Sequence, residues 1–132
     1  MKEALTARML ANGPVTQIIG TRANWGMRVQ GEPLPSLTMF EASPGRRYTY
    51  KGASSLSGPR VQFDCYAADF LTADALAKAV VTALEQPLTI AGISFSPAFL
   101  DSRRGPLTED LGGGMRIERV SMDFFIWFSP AA

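Results

Sequence analysis

The spacing of the hydrophobic residues changes from two to about four within the segment 60–84. From Arg60 to Tyr66 apolar residues alternate with polar ones, which predicts a half-buried strand of an antiparallel sheet. Beyond Asp74 the apolar residues recur at helical spacing, with Thr72 predicted as the N-cap and Asp74 in the first turn. The segment therefore predicts a strand that leads directly into a helix ending before Pro87.

The remaining pattern predicts one more helix and several strands. The helix covers Lys2 to Leu10 and is expected to stop at Asn12-Gly13-Pro14. The longest alternating stretch, Arg116 to Phe128, predicts the strongest strand, while 102–114, SRRGPLTEDLGGG, predicts a mobile polar arm. Further strands are predicted at Trp25–Gln30, Leu37–Ala42, Arg47–Lys51, Leu88–Ile93 and Ser94–Leu100, with loop for the rest of 43–59.

This order of elements lacks a repeated strand–helix alternation, which favours the α+β class. We expect one domain over residues 1–132: a mostly antiparallel mixed β-sheet with two helices packed on one face. The apolar stripes of strand and helix predict the core, which comprises Val61, Phe63, Cys65, Leu76, Val80, Leu84, Met122, Phe124 and Ile126.

The other face of the last predicted strand changes from polar to aromatic along its length. It carries Arg119 and Asp123 first and then Phe125 and Trp127. Burial beneath another part of the same chain is one explanation of the two aromatic residues. A subunit interface is the other, because interfaces are enriched in aromatic side chains.

Composition narrows the class of protein. The chain has 132 residues, 46% of them hydrophobic and 19% charged, as expected for one folded domain. Thirteen basic residues against twelve acidic ones leave a net charge of +1, without the basic excess of a protein that binds nucleic acid through its phosphates. Because no stretch reaches about 20 apolar residues and the N-terminus lacks a signal peptide pattern, we expect folding in the cytosol and no membrane role.

Candidate chemistry is sparse. The chain has no histidine, the usual general base and a common zinc ligand, and the single cysteine, Cys65, is predicted to be a buried thiol. Asp64, Asp69 and Asp74 fall five residues apart, a spacing that builds neither a metal cage nor an acid–base pair. Gly112-Gly113-Gly114 lacks the Lys-Ser/Thr of a phosphate loop and is expected to form a hinge or hairpin turn. No enzymatic activity, metal or cofactor is predicted.

Two pairs of basic residues lie in predicted glycine-containing loops. They are Arg46 with Arg47, and Arg103 with Arg104; the acidic Glu109 and Asp110 follow in the second loop. Ordinary solvated charge is one explanation, and contact with an acidic or nucleic-acid surface is the other.

An ordered set of features resembles the tail completion proteins of long-tailed phages, which prophages and gene transfer agents also encode. The set comprises the N-terminal helix, Ile18–Arg22, Trp25, Pro33-Leu34-Pro35 before Leu37–Phe40, and RVQFDCYAADFLTADALAKAVVTAL at 60–84. The resemblance covers most of residues 4–85 and is carried mainly by the segment 60–84.

The resemblance implies a non-enzymatic structural protein, a tail terminator that forms a ring, commonly a hexamer. Such a ring caps the tail tube and joins the tail to the head. The implied partners are further copies of the chain, the major tail tube protein and a head-completion (neck) protein. The implied location is the head–tail interface of a virion, after synthesis in the bacterial host cytoplasm.

These implications assign roles to the surface residues. The candidate oligomer interface is Phe125, Trp127, Arg119 and Asp123; the candidate tail and neck contacts are Arg46, Arg47, Arg103, Arg104, Glu109 and Asp110. Two alternatives remain open. One is a head-completion protein of the same particle, and the other is a small ligand-binding α+β domain with a pocket lined by Trp25, Phe63 and Tyr66.

Overall fold

A computed structural model describes residues 2–26, 33–43, 46–49, 52–112 and 115–130; for 46–49, 52–57, 106, 110–112 and 115 only the backbone is considered. Within these ranges the chain forms three helices: α1 (Lys2–Ala11), α2 (Gly13–Ile19) and α3 (Phe70–Leu84). It also forms ten strands: β1 (Ala23–Trp25), β2 (Ser36–Ser43), β3 (Arg46–Thr49), β4 (Gly52–Ser57), β5 (Arg60–Ala67), β6 (Leu88–Ile90), β7 (Ile93–Phe95), β8 (Phe99–Gly112), β9 (Met115–Phe125) and β10 (Phe128–Pro130).

The strands form two five-stranded sheets. The first has the order β1-β2-β5-β9-β8 and the second the order β3-β4-β10-β7-β6. Every neighbouring pair is antiparallel except β1 and β2, which run parallel. The predicted α+β class with a mostly antiparallel mixed sheet is confirmed. The described chain adds a second sheet and a third helix to the one sheet and two helices that were predicted.

The core lies between the helices and one face of the first sheet. Strand register aligns Met39, Phe63 and Met122 across β2, β5 and β9 on the face that meets the helices. The rings of Phe63 and Phe124 pack edge to face, with centroids 5.5 Å apart. All nine residues assigned to the core from the sequence are at most 1% exposed in the structure.

Asn12-Gly13-Pro14 begins a helix as well as ending one. The Asn12 backbone N–H still donates to the carbonyl of Met9 in α1, while its Oδ1 accepts from the backbone N–H of Val15 at 3.1 Å and so caps α2. Pro14 is tolerated there because the first turn of a helix has unpaired N–H groups anyway. The segment 15–20, where no helix was predicted, therefore contains most of α2.

The N-cap of helix α3 lies three residues before the predicted one. The N-cap is Asp69, whose extended backbone lets its carboxylate accept from the Thr72 backbone N–H at 2.8 Å and from the Thr72 hydroxyl at 3.0 Å. The backbone hydrogen bond, aided by that of the hydroxyl, lowers the pKa of Asp69. Asp74 is consequently beyond the first turn, where it pairs with Arg103 and with Lys78.

The C-terminal part of the sheet differs most from the prediction. The predicted polar arm is strand β8, which pairs with β9 from Phe99 opposite Phe125 to Gly112 opposite Met115, so the two strands form a hairpin. The predicted strand 116–128 is divided at 126–127 between β9 and β10. At the other end of the chain, β1 covers only Ala23–Trp25, and positions 27–30 of the predicted strand lie outside the described residues. Strand β4 lies in a segment predicted to be loop.

Candidate assembly surfaces

The first sheet has one face turned away from the helices, which we call the outer sheet face. Among the described elements, only the neighbouring strands and the helices on the opposite face make substantial contact with β2, β5, β8 and β9. Strand register places the following residues on it: Thr38, Phe40, Arg60, Gln62, Asp64, Tyr66, Phe99, Ser102, Arg104, Arg119, Ser121, Asp123 and Phe125. The outer sheet face therefore combines polar and aromatic residues. Thr38, Asp64, Ser121 and Asp123 are at most 9% exposed at its centre, and exposed aromatic residues stand nearer its edges.

A buried carboxylate lies in the middle of this face. Oδ2 of Asp123 accepts hydrogen bonds from Arg60 at 3.0 Å, Ser102 at 3.1 Å and Arg104 at 3.2 Å, although the residue is only 5% exposed. Burial alone would raise the pKa of Asp123, but these hydrogen bonds outweigh it and hold the pKa below its usual range. Arg60 is held a second time by Asp101 at 2.7 Å. The centre of the face is thus a fixed network of charges.

Aromatic side chains stand at the edge of the network. The guanidinium of Arg60 lies 5.4 Å from the ring centre of Phe125, and Phe99 lies opposite Phe125 on β8. Phe99 is 69% exposed, and Phe40, three strands away in β2, is 52% exposed. Exposed aromatic residues beside arginine are the side chains most enriched at the centres of protein interfaces.

The structure separates the four predicted interface residues into two groups. Three of them lie on the outer sheet face: Arg119, Asp123 and Phe125. There Arg119 hydrogen-bonds to Tyr66, and its Nη1 lies 4.0 Å from Oε1 of Glu109. Trp127 lies beyond the end of β9, with its ring directly against Gly58, where no room remains for a Cβ atom. Trp127 thus packs within its own chain, and the remaining three share one surface.

Both basic pairs lie in strands rather than in the predicted loops. Successive residues of a strand point to opposite faces, so Arg104 reaches Asp123 on the outer sheet face while Arg103 pairs with Asp74 of α3 on the inner one. Arg46 and Arg47 lie in β3 and Asp110 lies in β8, but their side chains are outside the described part of the structure.

A buried arginine that the sequence analysis missed joins two helices. Arg8 is 3% exposed, donates to the backbone carbonyls of Ala83 and Gln86, and lies over the ring of Phe95. Burial lowers the pKa of Arg8. The sequence signal for its position is its place in the apolar stripe of α1, whose buried residues are Ala4, Leu5, Arg8 and Met9.

A cleft of about 570 Å³ opens in the helix layer next to Arg8. Its lining residues come from the α1–α2 junction, the second half of α3 and β6: Arg8, Ala11, Asn12, Pro14, Lys78, Ala79, Thr82, Ala83, Gln86, Pro87, Leu88 and Ile90. Two of them are basic and none is acidic. The predicted ligand pocket is not this cleft, because Phe63 points from β5 into the core and Tyr66 points to the outer sheet face.

The described residues provide little for metal or thiol chemistry. Within them no cluster of Cys, Asp and Glu is placed to hold a metal ion. Cys65 is fully buried, and its burial raises the pKa of the thiol. None of the helices in the described ranges is long and apolar enough to cross a membrane.

Comparisons with known proteins identify the family. The sequence model of the family "Tail completion protein gp17" matches residues 3–129. The fold is similar to a chain in the structure "Virion of native gene transfer agent (GTA) particle", with a TM-score of 0.70 and 15% sequence identity over 98% of this chain and 94% of the other. No curated protein sequence matches the chain. The protein belongs to the tail completion protein gp17 family and is a structural protein of a phage-type virion tail.

Proposed function

We propose that the protein is a tail terminator, a ring of identical chains that caps the tail tube and joins the tail to the head. The family match supports a role in completing the tail. The observation that carries the proposal is the outer sheet face, where a fixed charge network and exposed aromatic residues lie on a face that no described element covers. A face of this kind suits contact with another protein.

The outer sheet face is suited to assembly because its polar groups are already ordered. Arg60, Ser102 and Arg104 are held by one buried carboxylate, so little side-chain entropy is lost when a partner docks. We assign Arg119, Asp123 and Phe125 to the contact between copies of the chain. The charged positions outside that contact, including Arg46, Arg47, Glu109 and Asp110, are assigned to the tube and the neck.

The proposed role is structural and requires no catalysis. The chain contains no histidine, and its only thiol is buried with a raised pKa, which disfavours the reactive thiolate. The proposed partners are other copies of the chain, the major tail tube protein and the neck protein.

Deletion of the gene in a particle-producing host tests the proposal. Electron microscopy should show DNA-filled heads beside free tails of aberrant length, and expression of the wild-type gene in trans should restore joined particles. The alternative, a head-completion protein, predicts heads that leak DNA beside tails of normal length. That second phenotype would replace the tail-terminator assignment with the neck assignment.

A further inference from the structure

We infer that the cleft beside Arg8 receives the Phe99 corner of a neighbouring copy, so that the ring closes through two different faces of the chain. The Phe99 corner comprises Phe99, Leu100 and Asp101 with Phe125 beside them. The inference rests on the proposed ring and identifies its subunit contact. A ring of more than two identical subunits needs such a head-to-tail contact, because each subunit meets its two neighbours through different surfaces.

The cleft provides the concave surface. Its walls are largely apolar, with Ala79 and Ala83 of α3 on one side and Pro14 and Leu88 among the other lining residues. Leu88 is 41% exposed in the isolated chain. A cleft of about 570 Å³ is large enough to take an aromatic side chain together with its neighbour.

The Phe99 corner provides the convex surface. Phe99 is the most exposed aromatic residue in the described chain at 69%, and Leu100 is 41% exposed. Each surface also has an exposed ion pair. Asp101, 39% exposed, pairs with Arg60 at 2.7 Å, and Lys78 of the cleft, 72% exposed, pairs with Asp74 at 3.0 Å. Surface pairs of this kind cost little to separate, so Asp101 can exchange Arg60 for Lys78 on docking. An apolar side chain beside a carboxylate therefore meets an apolar cleft beside an ammonium group.

The positions of the two surfaces suit a closed ring. The Ala98 backbone N–H donates to the Leu84 carbonyl, so β8 starts at the C-terminal end of α3, where the cleft also lies. The corner is on the sheet side and the cleft is in the helix layer, at the same end of α3. We place the ring axis along α3, so that contact between surfaces at the same level repeats by rotation with little rise and closes a ring rather than building a filament.

The exposed residues at the start of α3 form the rival convex surface. Phe70 is 47% exposed and Leu71 is 75% exposed. They lie in the same helix layer as the cleft but at the other end of α3, about 20 Å from Leu84 at the helical rise of 1.5 Å per residue. Docking them in the cleft would displace successive copies along α3, so we assign the contact to Phe99.

Cysteine cross-linking in assembled tails tests the contact. The chain has one cysteine, Cys65, which is buried, so introduced cysteines are the reactive ones. Chains carrying both Phe99→Cys and Leu88→Cys should give a ladder of dimers, trimers and higher species with a short bismaleimide. Each single variant should give monomers only, and a mixture of the two single variants should stop at dimers.

Matched controls make the result decisive. The pair Leu71→Cys with Leu88→Cys should give no ladder; a ladder from this pair, or dimers from Phe99→Cys alone, would overturn the inference. All variants are compared in particles from strains in which the variant gene complements the deletion. If Leu88→Cys fails to complement, Thr82→Cys in the cleft wall replaces it. A missing ladder in normally capped tails overturns the contact but leaves the tail terminator intact. If cross-linking gives the ladder but the gene deletion leaves heads that leak DNA, the contact stands and the tail-terminator assignment is overturned.

Filling the cleft gives an independent readout. Ala79→Trp places a large ring in the cleft wall, whereas Ala75→Trp adds the same ring to an exposed position of α3 outside the cleft. Ala79→Trp should lose the ladder of the double-cysteine chain while keeping a cooperative unfolding transition. Ala75→Trp should retain the ladder. Equal ladders from the two tryptophan variants would contradict occupation of the cleft.

Discussion

Arg8 in α1 donates a hydrogen bond of 2.6 Å to the carbonyl of Ala83, 75 positions away at the end of α3. The last carbonyls of a helix have no partner within the helix, and a cation at that end also interacts favourably with the helix dipole. One buried guanidinium therefore fixes α1 against the C-terminal end of α3. Arg8 and Ala83 both line the cleft, so its shape depends on this contact.

Replacing Arg8 by methionine should reduce the free energy of unfolding by about 2–3 kcal/mol, because buried carbonyls lose charged hydrogen bonds. Methionine keeps the helix propensity and part of the side-chain volume. Denaturant unfolding with an unchanged m-value measures the loss. Lys2→Met in the same helix is the control, since Lys2 is largely exposed and should change stability by at most about 0.5 kcal/mol. Equal losses in the two variants would show that Arg8 is no more than a surface charge.

Gly58 and Trp127 form a tight contact between the two sheets. A Cβ atom at Gly58 would lie 2.5 Å from Cε3 of Trp127, so Gly58→Ala must displace the indole ring. We expect a loss of about 1–3 kcal/mol from overpacking, with altered emission from Trp127 in a Trp25→Phe background. Gly13→Ala is the control, because a Cβ there meets open space at the start of α2.

Because Trp127 packs against Gly58, mutations of Trp127 and of Phe125 should have different effects. Trp127→Ser should destabilise the folded monomer, because it removes the ring that covers Gly58. Phe125→Ser should leave the monomer folded by circular dichroism and weaken assembly instead. A folded, stable Trp127→Ser chain that fails to assemble would return Trp127 to the oligomer interface.

Asp123 should make stability depend on pH in the acid range. Its folded-state pKa lies below the unfolded value, so its contribution is complete above the unfolded pKa of about 3.9 and is lost as pH falls through the folded pKa. Asp123→Asn should therefore reduce the free energy of unfolding by about 1.5–3 kcal/mol at pH 7. The difference from wild type should shrink below about pH 4. Asp101→Asn should lose less, because Asp101 is more exposed; a difference that stays constant down to pH 2 would contradict this account.

The capping role of Asp69 can be separated from that of Thr72. Asp69→Ala should lower the Tm by a few degrees, and Asp69→Ser should restore most of it because a hydroxyl also accepts from the N-terminal N–H groups. Thr72→Ala should lower the Tm less, since alanine keeps the backbone N–H whose hydrogen bond the Asp69 carboxylate accepts. The opposite order, with Thr72→Ala the more damaging change, would make Thr72 the cap after all.

The sequence by itself determined the elements whose hydrophobic period is local. The geometry of a strand explains the alternation in Arg60–Tyr66, and that of a helix explains the apolar stripe containing Leu76, Val80 and Leu84. For this reason β5, α3 and the α+β class were predictable. All nine assigned core residues are buried for the same reason. The segment 60–84, which contains β5 and α3, also carried the resemblance to the family that the comparisons then showed.

Only the tertiary structure decided which polar residues become partners. The polar and glycine-rich sequence of 102–114 predicted a mobile arm, yet residues 102–112 belong to β8 because β9 pairs with their backbone along almost the whole length. Arg104 contacts Asp123 across that pairing. Likewise Arg8 is buried because α3 ends where its guanidinium can reach. Such contacts depend on register between distant segments, which no local period encodes. The outer sheet face and the cleft exist only once that register is set.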